Sequence, residues 1–259
     1  GQQRLDGIDM SESGPGGIRI FEDFTGPEDP VGLTVSTGTA GGIFRVVGQT
    51  HADADTGVVV LESDGLSGIA QLTTPNATDN DSICLTTATM FDVALMAPIV
   101  AEIRVRFADL DTKEFFFGFS DLNSDTHSLE GVLLHGATTT ITLTASDLVG
   151  FLFSSELDDD EDWHGVYNGG TLTGETTSTS IDLDSDAVAG EFQVLRLQLD
   201  PNGDVSWWIN GDRKQFKEKA VSTTTDLACQ VVLEEKGTGS NETADLDYFL
   251  ITAGRDWTV

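Results

Sequence analysis

The chain has 259 residues, thirteen basic and forty-four acidic, for a formal net charge of −31. That balance lacks the basic footprint on which phosphate backbones and anionic bilayers depend, so neither nucleic acid nor a membrane is an expected partner. The length suits one large domain with a full hydrophobic core. No run reaches the apolar length of a membrane span, and GQQRLDGIDM lacks the apolar centre of a secretory leader.

Residues 1–30 are mostly turn and loop material (SESGPGG, GPEDP), and only Ile18–Phe21 reads as a strand. Such a segment cannot order itself. It predicts an extended arm over 1–30 that packs on the body or on a neighbour, with Phe21 and Phe24 as interface candidates.

The body, residues 31–259, opens with the compact apolar runs Ile43–Val47 and Val58–Leu61. A strand over Leu66–Leu72 and the loop TTPNATDND precede Ile83–Leu85. Ile99–Phe107 then alternates. Ile103, Val105 and Phe107 point one way and Glu102, Arg104 and Arg106 the other, which predicts one buried and one wet face. After the DLDTK turn, EFFFGFS (Glu114–Ser120) returns as its aromatic hairpin partner.

Strands are expected next at Val132–Leu134, Thr140–Thr144 and Val149–Phe153. The acidic run Glu156–Asp162 leads into Trp163–Tyr167 and a long polar loop. Glu191–Asp200 alternates with one slip at 194–195, which reads as a bulge. Pro201–Asp204 turns into Val205–Ile209, and Asn210-Gly211 is the strongest hairpin signal in the chain. Asp226–Leu233 and Asp245–Thr252 close the set. Helical periodicity is hard to find, so the fold class is all-β, a two-sheet antiparallel sandwich. Cys84 and Cys229, far apart in strand-like runs, read as two free thiols. The Asn-x-Ser/Thr triplets at Asn76, Asn80 and Asn241 matter only in a eukaryotic secretory path.

Three segments resemble the concanavalin A-like, or laminin-G-like, jelly-roll family: IVAEIRVRFADLDTKEFFFGFSD, FQVLRLQLDPNGDVSWWINGDRK and DLDYFLITAGRDW. Within that fold the FFFGFSD strand, the DDDEDWHGVYNGG stretch, the Thr-rich loops and the scarcity of lysine resemble virion structural proteins of marine tailed bacteriophages. The resemblance implies a non-enzymatic capsid decoration (cement) or surface subunit on the capsid exterior. Its partners would be a major capsid protein and further copies of this chain, most simply in a trimer. The alternative is a lectin-like module with a glycan as partner. A glycoside hydrolase of the same fold is the third.

Glu156-Leu157-Asp158-Asp159-Asp160-Glu161 has the Glu-x-Asp-x-x-Glu spacing of one glycoside hydrolase family of this fold. That chemistry needs its carboxylates on one strand face with apolar residues between them. Positions 159 and 160 are aspartates, so an exposed acidic loop is expected and no catalytic residue is assigned. Asp158, Asp160 and Asp162 are the candidates for a structural calcium, with Asp53 and Asp55, or Asp121, Asn123 and Asp125, as further oxygen clusters. No organic cofactor is expected. The four histidines have no zinc-type spacing. Trp207 and Trp208 must face opposite sides of a strand, which leaves Trp208 to stack on a sugar or fill an interface. Arg213, Lys214, Lys217 and Lys219 hold four of the thirteen positive charges, and the first three are the candidates for docking an acidic surface.

Overall fold

The computed structural model describes residues 16–25, 44–48, 58–61, 68–75, 79–87, 90–124, 127–159, 161–238 and 241–256. They form two antiparallel sheets packed face to face. One, here the open sheet, holds β16 (Asp212–Lys217), β15 (Val205–Ile209), β14 (Gln193–Leu199), β7 (Ile99–Arg106), β18 (Thr243–Gly254), β4 (Ala70–Thr73) and β3 (Val58–Leu61), in that spatial order. β1 (Gly17–Glu22) pairs with the C-terminal half of β18. Thus the strand expected at Ile18–Phe21 packs on the body as part of the sandwich, while residues 1–15 and 26–30 of the expected arm lie outside the described residues.

The other, the covered sheet, runs β13 (Asp182–Asp186), β12 (Asp162–Asn168), β11 (Leu148–Ser154), β8 (Lys113–Ser120), β17 (Asp226–Glu235), β5 (Ser82–Thr86) and β2 (Arg45–Gly48). β6 (Phe91–Asp92) pairs with the start of β17. Among the described residues, helix is confined to two short pieces, α1 (Val93–Met96) and α2 (Ser178–Ile181), and a π-helical turn, Leu129–Leu133. The last of these takes in Val132 and Leu133 of the strand expected at Val132–Leu134, and Leu134 opens the strand that follows.

The alternation in β7 is as the sequence reads: Ile99, Ala101, Ile103 and Val105 are buried between the sheets. Opposite them the covered sheet supplies an aromatic layer. Phe107 lies 5.1 Å from Phe115 and 5.8 Å from Trp163, and Phe117 stacks on Phe151 at 6.1 Å. Each such pair adds about 0.5–1.5 kcal/mol beyond the area buried. Trp207 faces this layer and donates from Nε1 to the Gly150 carbonyl at 2.7 Å.

β14 departs from its expected pattern. Its register against β7 is continuous from Gln193 to Leu199, so there is no bulge at 194–195. Gln193 is inside because it accepts from Trp163 Nε1 at 2.9 Å and donates to the Asp186 carbonyl at 2.7 Å. Val194 therefore faces outward. The bulge lies instead between β15 and β16, at Trp207/Trp208. Phe24 was expected at an interface, but it is 3 % exposed and belongs to the core. Cys84 and Cys229 are free and buried. Burial pushes both thiols up, so they are inert.

The covered sheet is buried on both faces: every residue of β8 and of β11 is buried. Its outer face is closed by residues 127–145, which include the π turn, β9 (Leu134–Ala137) and β10 (Thr140–Leu143). This segment touches five strands. His127 O accepts from Ser82, Leu129 N donates to Glu234 at 2.6 Å, Gly136 N donates to Glu114 at 2.7 Å, Gly136 O accepts from Ser154, and Ala145 O accepts from Asn168.

Glu114 and Glu234 face each other across β8 and β17 and are fully buried. Such carboxylates require partners. Lys236 Nζ lies 2.5 Å from Glu130, 3.4 Å from Glu156, 3.5 Å from Glu234 and 3.9 Å from Glu114, and donates to Asn80 Oδ1 at 2.9 Å. His135 Nδ1 lies 3.4 Å from Glu114. Four carboxylates thus share one lysine and one histidine.

Burial pushes Glu234 up to about 7, and burial together with the Glu242 charge does the same to Glu235. Hydrogen bonding to Glu114 raises His135. In each case the folded chain holds protons more tightly than the unfolded chain, so stability falls as pH rises through about 7. His127 acts oppositely. Burial lowers it from 6.5 to about 4, so stability falls as pH drops through that window. The melting temperature is therefore expected to rise as the pH is lowered from about 7 toward about 4.5, with His127 opposing the rise below about 6.5, and to turn over near pH 4. Glu234→Gln should flatten the upper limb in a thermal scan, and an unchanged limb would refute the assignment to Glu234.

Candidate functional site

With one sheet closed, the outer face of the other is the broad β surface left to solvent. Its residues follow from the register. One cross-strand row runs Glu102 (β7), Arg196 (β14), Trp208 (β15), Arg213 (β16). On the other side of β7 it continues through Leu250 of β18 to Phe21 of β1. The bulge after Trp207 leaves Lys214 unpaired and brings Arg213 opposite Trp208.

A hollow of about 370 Å³ is sunk into this row, lined by Glu102, Val194, Arg196, Gln198, Trp208 and Gly211. Trp208 is half-buried, and its Nε1–H is buried with no acceptor among the described residues. Glu102 accepts from the Tyr248 hydroxyl at 2.7 Å and stands 3.8 Å from Arg196. Arg213 lies over Trp208 and over Phe216, 5.9 Å from each ring. An aromatic face with fixed polar groups around it can stack on a ring and hydrogen-bond its substituents. A second hollow of the same volume, between Gly169, Gly170, Asn202, Lys219 and Ser222, has no aromatic wall.

The other predicted interface residues are placed as follows. Phe21 is 44 % exposed on the open face, with Arg19 4.7 Å above its ring. Lys214 reaches the Asp184 carbonyl at 3.3 Å. Lys217 is bound to Glu175 at 2.6 Å, and that carboxylate also accepts from Tyr167. The basic cluster is thus divided, with Arg213 on the aromatic row and Lys217 committed to an internal pair.

The acidic run is a turn. Ser155 and Glu156 form a tight reversal, and Leu157 makes an isolated bridge to Thr138. The Glu-x-Asp-x-x-Glu residues therefore do not share a strand face. Glu156 instead joins the Lys236 cluster. Of the calcium candidates, Asp162 clusters with Asp159 and with Asp182 from the edge strand β13, their oxygens within 4.8 Å of one another. Asp158 is exposed and outside this trio, and Asp160, Asp53, Asp55 and Asp125 lie outside the described residues. His164 Nε2 stands 3.5 Å from Asp159. Three oxygens at this spacing suit a hard cation.

Burial pushes Asp162 up to about 7, assisted by Asp186, Asp182 and Asp159. The ionised trio is therefore strained above that pH. Asp162→Asn should raise the melting temperature at about pH 8. Millimolar calcium should do the same for the parent chain and not for Asp162→Asn, as read by differential scanning fluorimetry.

No family model matches the sequence, and no curated protein is similar to it. Solved structures are similar in fold. A β-glucanase of Bacillus licheniformis matches with a TM-score of 0.56 at 13 % identity, covering 93 % of this chain and 99 % of its own. Peanut lectin matches with a TM-score of 0.53 at 13 % identity, covering 92 % and 97 %. A protein of unknown function from Shewanella oneidensis matches with a TM-score of 0.56 at 10 % identity, covering 100 % and 95 %. At these identities the likeness is one of fold: the chain is a concanavalin A-like jelly-roll sandwich.

Proposed function

We propose that this chain is a non-catalytic, lectin-like protein that binds a sugar in the Trp208 hollow. The fold is shared by lectins and glucanases and so does not choose between them. The site supports binding. Trp208 presents a half-buried ring in a hollow walled by Glu102, Arg196 and Gln198. Hydrolysis needs two carboxyl groups flanking an accessible glycosidic bond. Glu114 and Glu234, the paired carboxylates of the covered sheet, are fully buried beneath residues 127–145.

Trp208→Ala should weaken glycan binding tenfold or more, about 1.4 kcal/mol, without lowering the melting temperature by more than a few degrees. Glycan-array and calorimetric measurements test this. Equal binding by the variant, or no glycan bound by the parent chain, would overturn it.

The second reading is the virion subunit implied by the sequence resemblance: a homo-oligomer on the exterior of a tailed-phage capsid, docked on the major capsid protein. Phe21 and Phe216, 44 % and 42 % exposed, favour it, because aromatic side chains anchor interfaces. It predicts a trimer by light scattering and co-sedimentation with shells that lack this protein. A monomer that leaves such shells in the supernatant would count against it.

A further inference from the structure

The open face is unlike the rest of this acidic chain. Arg19, Arg104, Arg106, Arg196 and Arg213, five of the eight arginines, lie on it. They are not equivalent. Arg104 is paired with Asp247, and Arg106 holds Asp245 through two hydrogen bonds, at 3.0 and 2.5 Å. Both also cover the Phe192 ring, at 4.3 and 4.5 Å. Among the described residues, Arg196 has only Glu102, at 3.8 Å, which is beyond hydrogen-bonding distance, and Arg213 has only ring contacts.

These two guanidinium groups stand on either side of Trp208 in one cross-strand row. Adjacent strands lie about 4.8 Å apart, so the two arginine strands are about 10 Å apart with the indole between them. Among the described residues, the cationic donors left without a hydrogen bond beside the hollow are therefore the N–H forks of Arg196 and Arg213, set against one acceptor carboxylate, Glu102, and the Gln198 side-chain carbonyl. A neutral sugar offers hydroxyls that both donate and accept. A carboxylate or sulfate offers acceptors only, in the planar or tripod geometry that a guanidinium binds in pairs.

We infer that the hollow selects an anionic saccharide, with its ring on Trp208 and its acid group on Arg196, assisted by Arg213. This rests on the lectin-like reading above and specifies the ligand's charge. The chain's net charge of −31 does not forbid it. At physiological salt the Debye length is about 8 Å, so distant carboxylates are screened while the guanidinium contacts are not. Glu102 lines the same hollow, but one of its oxygens accepts from Tyr248 at 2.7 Å and Arg196 stands between it and Trp208 in the cross-strand row.

The test is calorimetric titration with three probes of equal length: a galacturonate tetramer, its uncharged methyl ester, and a sulfated tetrasaccharide. Variants are Arg196→Met, which keeps the apolar stem, Trp208→Ala, and Arg104→Met as a control that removes the same charge elsewhere on the face. The parent chain should bind an acidic probe at least tenfold more tightly than the ester. Arg196→Met should erase that preference, Trp208→Ala should weaken all probes, and Arg104→Met should retain the preference. Whether the tetragalacturonate or the sulfated probe carries the preference identifies the acid as carboxylate or sulfate. Equal binding of acid and ester, unaffected by Arg196→Met, would overturn the anionic assignment and leave the sugar site standing. Binding of no probe through Trp208 would remove both. Melting temperatures of the variants report whether any loss is one of folding.

Discussion

A β-strand has two faces, and in β8 both must be kept from water. Phe115, Phe117 and Phe119 go into the layer between the sheets, and Glu114, Phe116 and Ser120 go under residues 127–145. A carboxylate placed there is tolerable only with hydrogen bonds and a counter-charge. The sheet supplies them from a distance in sequence. Gly136 N meets Glu114, Leu129 N and Glu130 N meet Glu234, and Lys236 stands among four glutamates. The covering segment and the sheet beneath it therefore hold each other: without the segment the glutamates lose their backbone donors, and without the glutamates the segment loses its anchors.

The closure decides where the molecule can meet anything else. In a two-sheet sandwich with one outer face roofed over, the other outer face is the broad sheet surface left to solvent among the described residues. Here that face carries most of the arginines of an acidic chain, with aromatic rings between them. The two arginines of β7 are spent on neighbouring aspartates, and those of β14 and β16 are not.

How much of this the sequence carried depended on whether a residue's partner was near. The two-faced alternation of Ile99–Arg106 and the opposition of Trp207 and Trp208 were legible, because side-chain direction in a strand is a local property. Gln193 in the core was not legible. Its burial depends on Trp163 and Asp186, which approach only in the fold. Glu114 opens one expected strand and Glu234 lies one residue past the end of another, and only the β8–β17 register makes them neighbours. The aspartate cluster was half visible: Asp162 stood in the acidic run, but Asp182 enters from β13. Phe24 looked exposed because its surroundings are polar. Its burial comes from tertiary contacts made after β1 joins the sheet.

The strand order has a consequence for the chain as it is made. β17 and β18 come last in sequence and lie in the interior of the two sheets, between β8 and β5 and between β7 and β4. The open sheet cannot be completed until Gly254 has emerged from the ribosome, nor the covered sheet until Glu235 has. Until then one edge of the FFFGF strand has no partner, and such an edge is a template for pairing with other chains. The strong negative charge is already present on every nascent copy. It keeps unfinished chains apart during that interval, which gives the acidity of this sequence a role before there is any folded surface to keep in solution.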